Sequence, residues 1–155
     1  MTLATAGAPA GAEASAEPAG NTALVPHAAS VFYAVDDKLR LVFLSKPTSA
    51  HGLHIGAAAP SAAPVAVTVT EQYDDWALIQ GVQMWGVAKR VTGAAKAAAM
   101  AAYLRRFPFV RDLMDQPRLA ASLRKVAVYR VDPERVAFTD NTTGVFGREV
   151  LDLKG

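Results

Sequence analysis

Apolar positions along the chain fall in short stretches at strand spacing, and this pattern predicts a mainly β protein. Residues 2–6 predict a first strand, and the β-branched and aromatic residues of the stretch 27–35 predict a second. A turn signal, Asp36-Asp37-Lys38, leads into a strand over residues 39–45, so these two stretches should form a hairpin. Residues 65–70 alternate Val with Ala or Thr, which is the period of a half-buried strand.

The second half of the chain contains two further β segments. Residues 76–91 form a long strand candidate that contains Gly81 and Gly86. A glycine inside a strand often marks a bulge or a close approach by a ligand or another backbone. Residues 126–139 predict a closing hairpin whose turn lies at Asp132-Pro133.

Helical signals occupy three stretches. Residues 94–107 place four large side chains on one face, and Pro108 ends the helix: Met100, Tyr103, Leu104 and Phe107. A shorter helix is predicted over residues 48–58 with Thr48 as N-cap, and another after Asp115. The tail 141–155 should be part loop and part strand. Hairpin-linked strands with few helices favour an antiparallel β-barrel with attached helices.

Length and composition narrow this picture to one domain over residues 1–155, with the Ala-, Gly-, Pro- and Glu-rich stretch 7–21 as a flexible loop. A net charge of +2 without a basic stripe gives no reason to expect a nucleic-acid partner. No apolar run approaches the roughly 18 residues of a membrane span. The absence of cysteine excludes disulfides and thiol chemistry. Because no Lys or Arg precedes Lys38, a secretory signal is not indicated and the cytoplasm is expected.

Candidate chemistry lies where the strand 39–45 leads into the first predicted helix, at three hydroxyl residues: Ser45, Thr48 and Ser49. Free backbone N–H groups and the helix dipole at such a junction favour an anion such as a phosphate. The same residues could equally serve only as strand-end and N-cap residues. His51 and His54 could share a helical face and bind a metal with His27, but a phosphate donor or polar packing is the better interpretation because no carboxylate lies nearby in sequence.

Two segments together resemble the pyridoxamine 5'-phosphate oxidase-like split-barrel family. They are F-L-S-K-P-T-S-A-H-G-L-H-I at residues 43–55 and I-Q-G-V-Q-M-W-G-V-A at residues 79–88, with a Val-rich strand between them. The first strand, the 27–45 strand pair and the end of the chain fit the same family. The resemblance implies a split β-barrel of about six or seven antiparallel strands with two or three helices. It also implies a homodimer that binds FMN in a groove between subunits.

Residue matching to that family assigns the phosphate site. Ser45 matches a strand-end hydroxyl, and Ser49 matches the serine of a Ser-Arg-Lys run. Ala50 and His51 stand where the arginine and lysine would be, and Ala29 stands near the family's other phosphate arginine. Each missing charge-assisted bond is worth roughly 1.5–3 kcal/mol, so FMN binding should be weakened unless another cation substitutes. The candidate substitutes are Lys46, Lys89, Arg90 and Arg148.

The full set of predicted cofactor-binding residues adds a loop lysine, a strand pair that could face a flavin ring, and a C-terminal arginine: Ser45, Lys46, Thr48, Ser49, His51, Gln83, Trp85 and Arg148. Gln83 and Trp85 could equally be ordinary strand and core residues. No side chain stands out as a catalytic acid or base. The helix that often precedes the family's first strand is expected to be absent, because the strand begins next to Met1.

Two functions follow as hypotheses from this resemblance. The first is an FMN-dependent oxidoreductase or flavin carrier; the second is a non-catalytic split-barrel binding protein that has lost tight FMN binding. Whether another flavin-like ligand or a haem occupies the groove is left open. In either case a homodimer is expected, because apolar residues on more than one strand face need cover. These include Phe32, Met84 and Trp85.

Overall fold

The computed structural model describes residues 1–7, 24–144 and 147–153. Of the predicted flexible loop 7–21, only Gly7 is described, and it ends the first strand; the rest lies outside the described residues. The strands are β1 (Thr2–Gly7), β2 (Val25–Ser30), β3 (Tyr33–Val35), β4 (Leu41–Ser45), β5 (Ala63–Thr70), β6 (Gln80–Arg90), β7 (Ala127–Asp140) and β8 (Arg148–Asp152). The helices are α1 (Ala50–Ala57), α2 (Gly93–Arg106), α3 (Phe109–Met114) and α4 (Pro117–Leu123).

All strand pairs are antiparallel and belong to one sheet in the order β2-β1-β5-β6-β7-β4-β3. The long β7 pairs with β4 through its first half and with β8 through its second half. The sheet curls into a half-barrel with a few helices against it. The predicted mainly β, split-barrel fold is therefore confirmed, although the described residues contain eight strands and four α-helices where about six or seven strands and two or three helices were expected.

The two faces of the curled sheet carry separate cores. Inside the curl, Ile55 of α1 packs among strand residues that include Leu3, Phe43, Val67 and Tyr129. On the other face, α2 covers β3, β4 and β7 with a second buried cluster: Ala34, Val42, Val91, Ala99, Tyr103, Val110 and Val128. Burial of a large apolar side chain contributes about 1.5–3 kcal/mol, so these two clusters fix α1 and α2 on opposite faces of the sheet.

The closing hairpin predicted at Asp132-Pro133 is wrong, because β7 runs through this dipeptide as one strand. Opposite it, the β6–β7 register shifts between Trp85 and Gly86. This irregularity accommodates Pro133, which cannot donate a ladder hydrogen bond. A Cβ on Gly86 would lie 2.9 Å from the Pro133 Cα and nearer still to the Asp132 carbonyl oxygen. The sequence signal was therefore a bulge, as Gly86 suggested, and not a turn.

Smaller differences concern element boundaries. The predicted strand over 76–91 begins only at Gln80, because Trp76–Leu78 is a 3-10 helix that Asp75 caps. The stretch 27–35, which was predicted to form one strand of a hairpin with residues 39–45, divides into β2 and β3. Only β3 pairs with β4, whereas β2 pairs with β1. Helix α3 was not predicted, since its six residues are too few to show a period. Within the described residues, no helix is long and apolar enough to cross a membrane.

Candidate functional site

The junction between β4 and α1 is built by Ser49. Ser49 is the N-cap of α1, and its Oγ accepts a hydrogen bond from the Gly52 N–H at 3.2 Å while donating to the Lys46 carbonyl at 2.8 Å. The predicted N-cap, Thr48, is one residue too early. It lies exposed in the loop, so its hydroxyl is not the one that satisfies the helix.

Gly52 allows the β4–α1 loop to fold tightly beneath the first turn of the helix. A Cβ at this position would lie 2.5 Å from the Lys46 carbonyl oxygen and 2.8 Å from that of Pro47. Real Cβ atoms do not approach backbone oxygens so closely, so a glycine is required for steric reasons. The tight loop brings the end of β4 next to the side chains of the first helical turn.

Ser45, at the end of β4, joins two of the predicted site residues. Its Oγ lies 2.6 Å from His51 Nε2 and 3.2 Å from Ser49 Oγ. His51 is only 6% exposed, and its Nδ1 is buried without a hydrogen-bond partner among the described residues. A buried polar atom without a partner is uncommon in native proteins and often marks a place for a water or a ligand. Of the eight predicted cofactor-binding residues, the structure thus brings three into contact, Ser45, Ser49 and His51.

His51 does not replace the lysine of the family pattern as a fixed cation. Burial lowers its pKa from the ordinary histidine value, and the charges of His27 and His54 lower it further. The imidazole is therefore neutral at pH 7. A neutral ring can donate or accept one hydrogen bond at each nitrogen, but it contributes no net charge to an anion site.

All three histidines of the chain meet at this site. The ring of His27, from β2, stacks on that of His51 with an interplanar angle of 22° and centroids 5.8 Å apart, and it meets the His54 ring edge-on at 6.2 Å. His54 Nδ1 lies 2.9 Å from the hydroxyl of the buried Thr5. Residue matching drew attention to Ala29 on this strand, whereas the side chain in contact is that of His27, two residues earlier. Among the described residues, no group of His, Asp or Glu has an arrangement suited to a metal ion.

The remaining predicted residues lie elsewhere. Lys46 is exposed in the β4–α1 loop. Gln83 and Trp85 flank Met84, which packs on the inner core, so both face the outside of the sheet in a shallow groove with Thr2 and Thr68. Trp85 is 39% exposed, and the Arg135 guanidinium lies 5.7 Å from its ring centroid. Arg148 lies exposed on β8 and pairs with Thr139. Within this chain, the structure thus separates Gln83 and Trp85, which were predicted to face a flavin ring, from the hydroxyl cluster formed by Ser45, Ser49 and His51.

The relatives of this chain identify its family, although no family profile matches it. It is 36% identical over 128 residues to the UPF0306 protein YhbP of Escherichia coli O157:H7, a match that covers 82% of this chain and 76% of YhbP. The chain belongs to the UPF0306 family. A UPF0306 protein of Klebsiella pneumoniae is 34% identical over 123 residues, and this match covers 79% of this chain and 73% of the Klebsiella protein.

Solved structures similar to this UPF0306 protein support its fold. A heme binding protein from Mycobacterium smegmatis has a TM-score of 0.63 at 19% identity; the match covers 97% of this chain but only 51% of that one. HutZ, the heme storage protein from Vibrio cholerae, has a TM-score of 0.56 at 14% identity, with 86% and 81% coverage. A FAD-binding protein from Mesorhizobium loti has a TM-score of 0.54 at 17% identity, with 88% and 83% coverage.

Proposed function

We propose that this UPF0306 protein binds a flat, anionic cofactor of the flavin or heme type, with FMN as the first candidate, and that the N-terminus of α1 receives the anionic end. The observation that carries the proposal is the cluster of Ser45, Ser49 and His51 at this helix end, with the buried and unpartnered Nδ1 of His51. The amides of a first helical turn have no intrahelical partner and favour a negative charge.

These residues fit a phosphate, though not a tightly bound one. Ser45 and Ser49 supply hydroxyls and the first turn supplies amides, but Ala50 offers no guanidinium and His51 is neutral. The nearest cation in sequence is Lys46, which is exposed and has no carboxylate partner among the described residues. We therefore expect FMN to bind through several neutral donors with assistance from Lys46, more weakly than at a site with two arginines.

When bound, a flavin would supply the electron transfer, and the protein would supply binding and orientation. With FMN bound, the protein would act as an oxidoreductase of the pyridoxamine 5'-phosphate oxidase-like type. The histidines at this site are His27, His51 and His54, and we assign none of them a proton-transfer role. A chain that binds no FMN would instead be the non-catalytic binding protein of the second hypothesis.

We propose that the ring system of the cofactor binds in the outer groove beside Gln83 and Trp85. Because this groove lies on the outer face of the sheet, a second subunit would be needed to bring it next to an α1 N-terminus. We therefore include a homodimer in the proposal, with Arg148 of one subunit available to the site of the other. The exposed β8, with Val150 and Leu151 46% and 62% exposed, supports an interface of this kind.

A heme is the second candidate, and the histidine cluster favours it. Heme iron in proteins accepts an axial imidazole, and three imidazoles lie together here. His27 is half-buried and makes no side-chain hydrogen bond with any residue that the structure describes. Two of the structurally similar proteins are a heme binding and a heme storage protein by their names. His27 would then be the iron ligand, and the α1 N-terminus would hold a propionate.

Titration of the purified, ligand-free protein distinguishes these possibilities. FMN, riboflavin and hemin are each titrated and followed by flavin fluorescence or by the heme absorption band, with His27→Ala as a variant. We expect saturable FMN binding that riboflavin, lacking the phosphate, reproduces only weakly. Hemin binding that His27→Ala abolishes would favour the second candidate. The absence of saturable binding by all three ligands would contradict the proposal.

A further inference from the structure

A cavity of about 640 Å³ lies between the sheet and helices α2, α3 and α4, and it shares no residue with the hydroxyl and histidine cluster. Its floor is formed by β4 and β7, and its walls by α2, α3 and α4. Nearly all of its lining is apolar: Leu44, Met100, Leu104, Val110, Met114, Ala120, Leu123, Val126 and Val128. The volume is within the range of about 300–1,000 Å³ that is typical of small-molecule sites.

The cavity exists because α4 covers the sheet loosely. None of the seven residues of α4 is buried, and Val110 is the one buried residue of α3. Helix α4 packs mainly against α3. The space between α2 and α4 is open to solvent on one side, and its apolar lining would be removed from water by an occupant, which is favourable. Two methionines line it, and their flexible side chains adapt to ligands of different shape.

Two cations stand at the edge of this apolar space. Lys96 on α2 and Arg124 at the end of α4 both line the cavity and are exposed. Neither has a carboxylate partner among the described residues, and no acidic residue lines the cavity. An apolar interior with positive charge at its mouth is complementary to a molecule with an apolar body and one negative end.

We propose that this cavity is a binding site for a small anionic amphiphile of the fatty-carboxylate class. The alkyl chain would lie among Met100, Leu104 and Leu123, and the carboxylate would contact Lys96 and Arg124. The site is independent of the cofactor site proposed above, because none of its lining residues takes part in that cluster.

The proposal is tested by titrating the full chain with a fluorescent fatty acid, dansylaminoundecanoate, and displacing it with laurate or with dodecanol of equal chain length. Ala120→Phe fills the cavity, and Ala121→Phe is its matched control on the same helix but outside the lining. Lys96→Gln and Arg124→Gln remove the charges, and Lys125→Gln is their control. Circular dichroism of each variant confirms that it is folded.

We expect one probe molecule to bind per chain at micromolar concentration, and Ala120→Phe to abolish this binding while Ala121→Phe retains it. Each charge variant should weaken laurate binding by about 1.4-fold to fivefold, the range for an exposed ion pair, and leave dodecanol binding unchanged. Three results would overturn the proposal: no saturable binding, equal loss in both Phe variants, or equal displacement by laurate and dodecanol in the wild type. A self-association that Ala120→Phe alone disrupts, without probe binding, would show that a second copy covers the cavity and would overturn it as well.

Discussion

Gly86 is the residue on which the pairing of the two longest strands depends. Its Cα hydrogens face the backbone of Asp132 and Pro133, where a Cβ would overlap the Asp132 carbonyl oxygen. Gly81, on the same strand, has ordinary space, since its nearest neighbours to a Cβ are Thr70 Cβ and Val69 O at 3.4 Å. The two glycines of β6 therefore have different roles, although the sequence alone presents them alike.

Gly86→Ala should lower the free energy of unfolding by about 2 kcal/mol, the usual cost of forcing a methyl group into a filled space. Urea unfolding followed by tryptophan fluorescence measures this. The matched control, Gly81→Ala, should change stability by less than about 1 kcal/mol in either direction. Equal effects of both substitutions would mean that the backbone approach at the bulge is not close.

His51 makes stability depend on pH. Burial and the neighbouring histidines lower its folded-state pKa below the unfolded value of about 6.5. The unfolded chain therefore binds more protons than the folded one between these two pKa values, so the contribution is fully present above the unfolded pKa and is lost as the pH falls through this window. We expect the unfolding free energy of wild type to fall between pH 7 and pH 5.

His51→Gln, which keeps a hydrogen-bonding group beside Ser45, isolates the contribution of this residue. The difference in unfolding free energy between wild type and variant should decrease as the pH is lowered from 7 to 5. The measurement is a series of urea titrations at fixed ionic strength. A pH-independent difference would show that His51 is solvated and titrates as in the unfolded chain.

Helix α1 depends on its cap more than on its own propensity. It has eight residues, two of which are glycines, and no acidic residue in its first turn. Its helical state thus depends on Ser49 at the N-terminus and on the burial of Ile55 and His51. Because short helices are only marginally stable in isolation, loss of the cap should weaken ligand binding at the proposed anion site as well as lower the global stability.

Ser49→Ala should cost about 1 kcal/mol of stability, as for other N-cap serines, and should also weaken FMN binding. Thr48→Ala is the matched control, because Thr48 is exposed and its side chain makes no hydrogen bond with the described residues. Thermal unfolding and FMN titration of both variants give the comparison. A larger effect of Thr48→Ala would return the capping role to the residue that the sequence first suggested.

The sequence predicted the elements better than their connections. The alternation of residues in β5 and the apolar face of α2 were sufficient to predict these two elements, because each pattern follows from which residues of the element are buried. The bulge at Asp132-Pro133 was mistaken for a turn because both use the same residue types, and only the facing Gly86 distinguishes them. At the site, Ser45, Ser49 and His51 could be found because they are close in sequence. The contact of His27 with His51 depends on β2 pairing with β1, which no local pattern shows.

For the molecule as a whole, the proposal assigns the dimer interface to the outer face of the sheet. Trp85→Glu places a negative charge in the outer groove to disrupt the proposed interface. Within the chain, Arg135 can pair with this charge, so the fold of the single chain should be retained. Leu119→Glu is the control, since Leu119 is also 39% exposed but lies on α4. We expect light scattering at micromolar concentration to show a dimer for wild type and the control, and a monomer for Trp85→Glu. Intact FMN binding by a monomeric wild type would contradict the shared groove.

The proposal that an anion binds at the α1 N-terminus is tested most directly by nuclear magnetic resonance of the ¹⁵N-labelled protein. FMN is added, and riboflavin is added to a second sample, while the backbone amide shifts are followed. The proposal predicts that FMN changes the amide chemical shifts of Ala50 and His51 more than those of other residues, and that riboflavin does not. Shifts that are the same for both ligands, or that concentrate at Met100 and Leu104 in the other cavity, would contradict it.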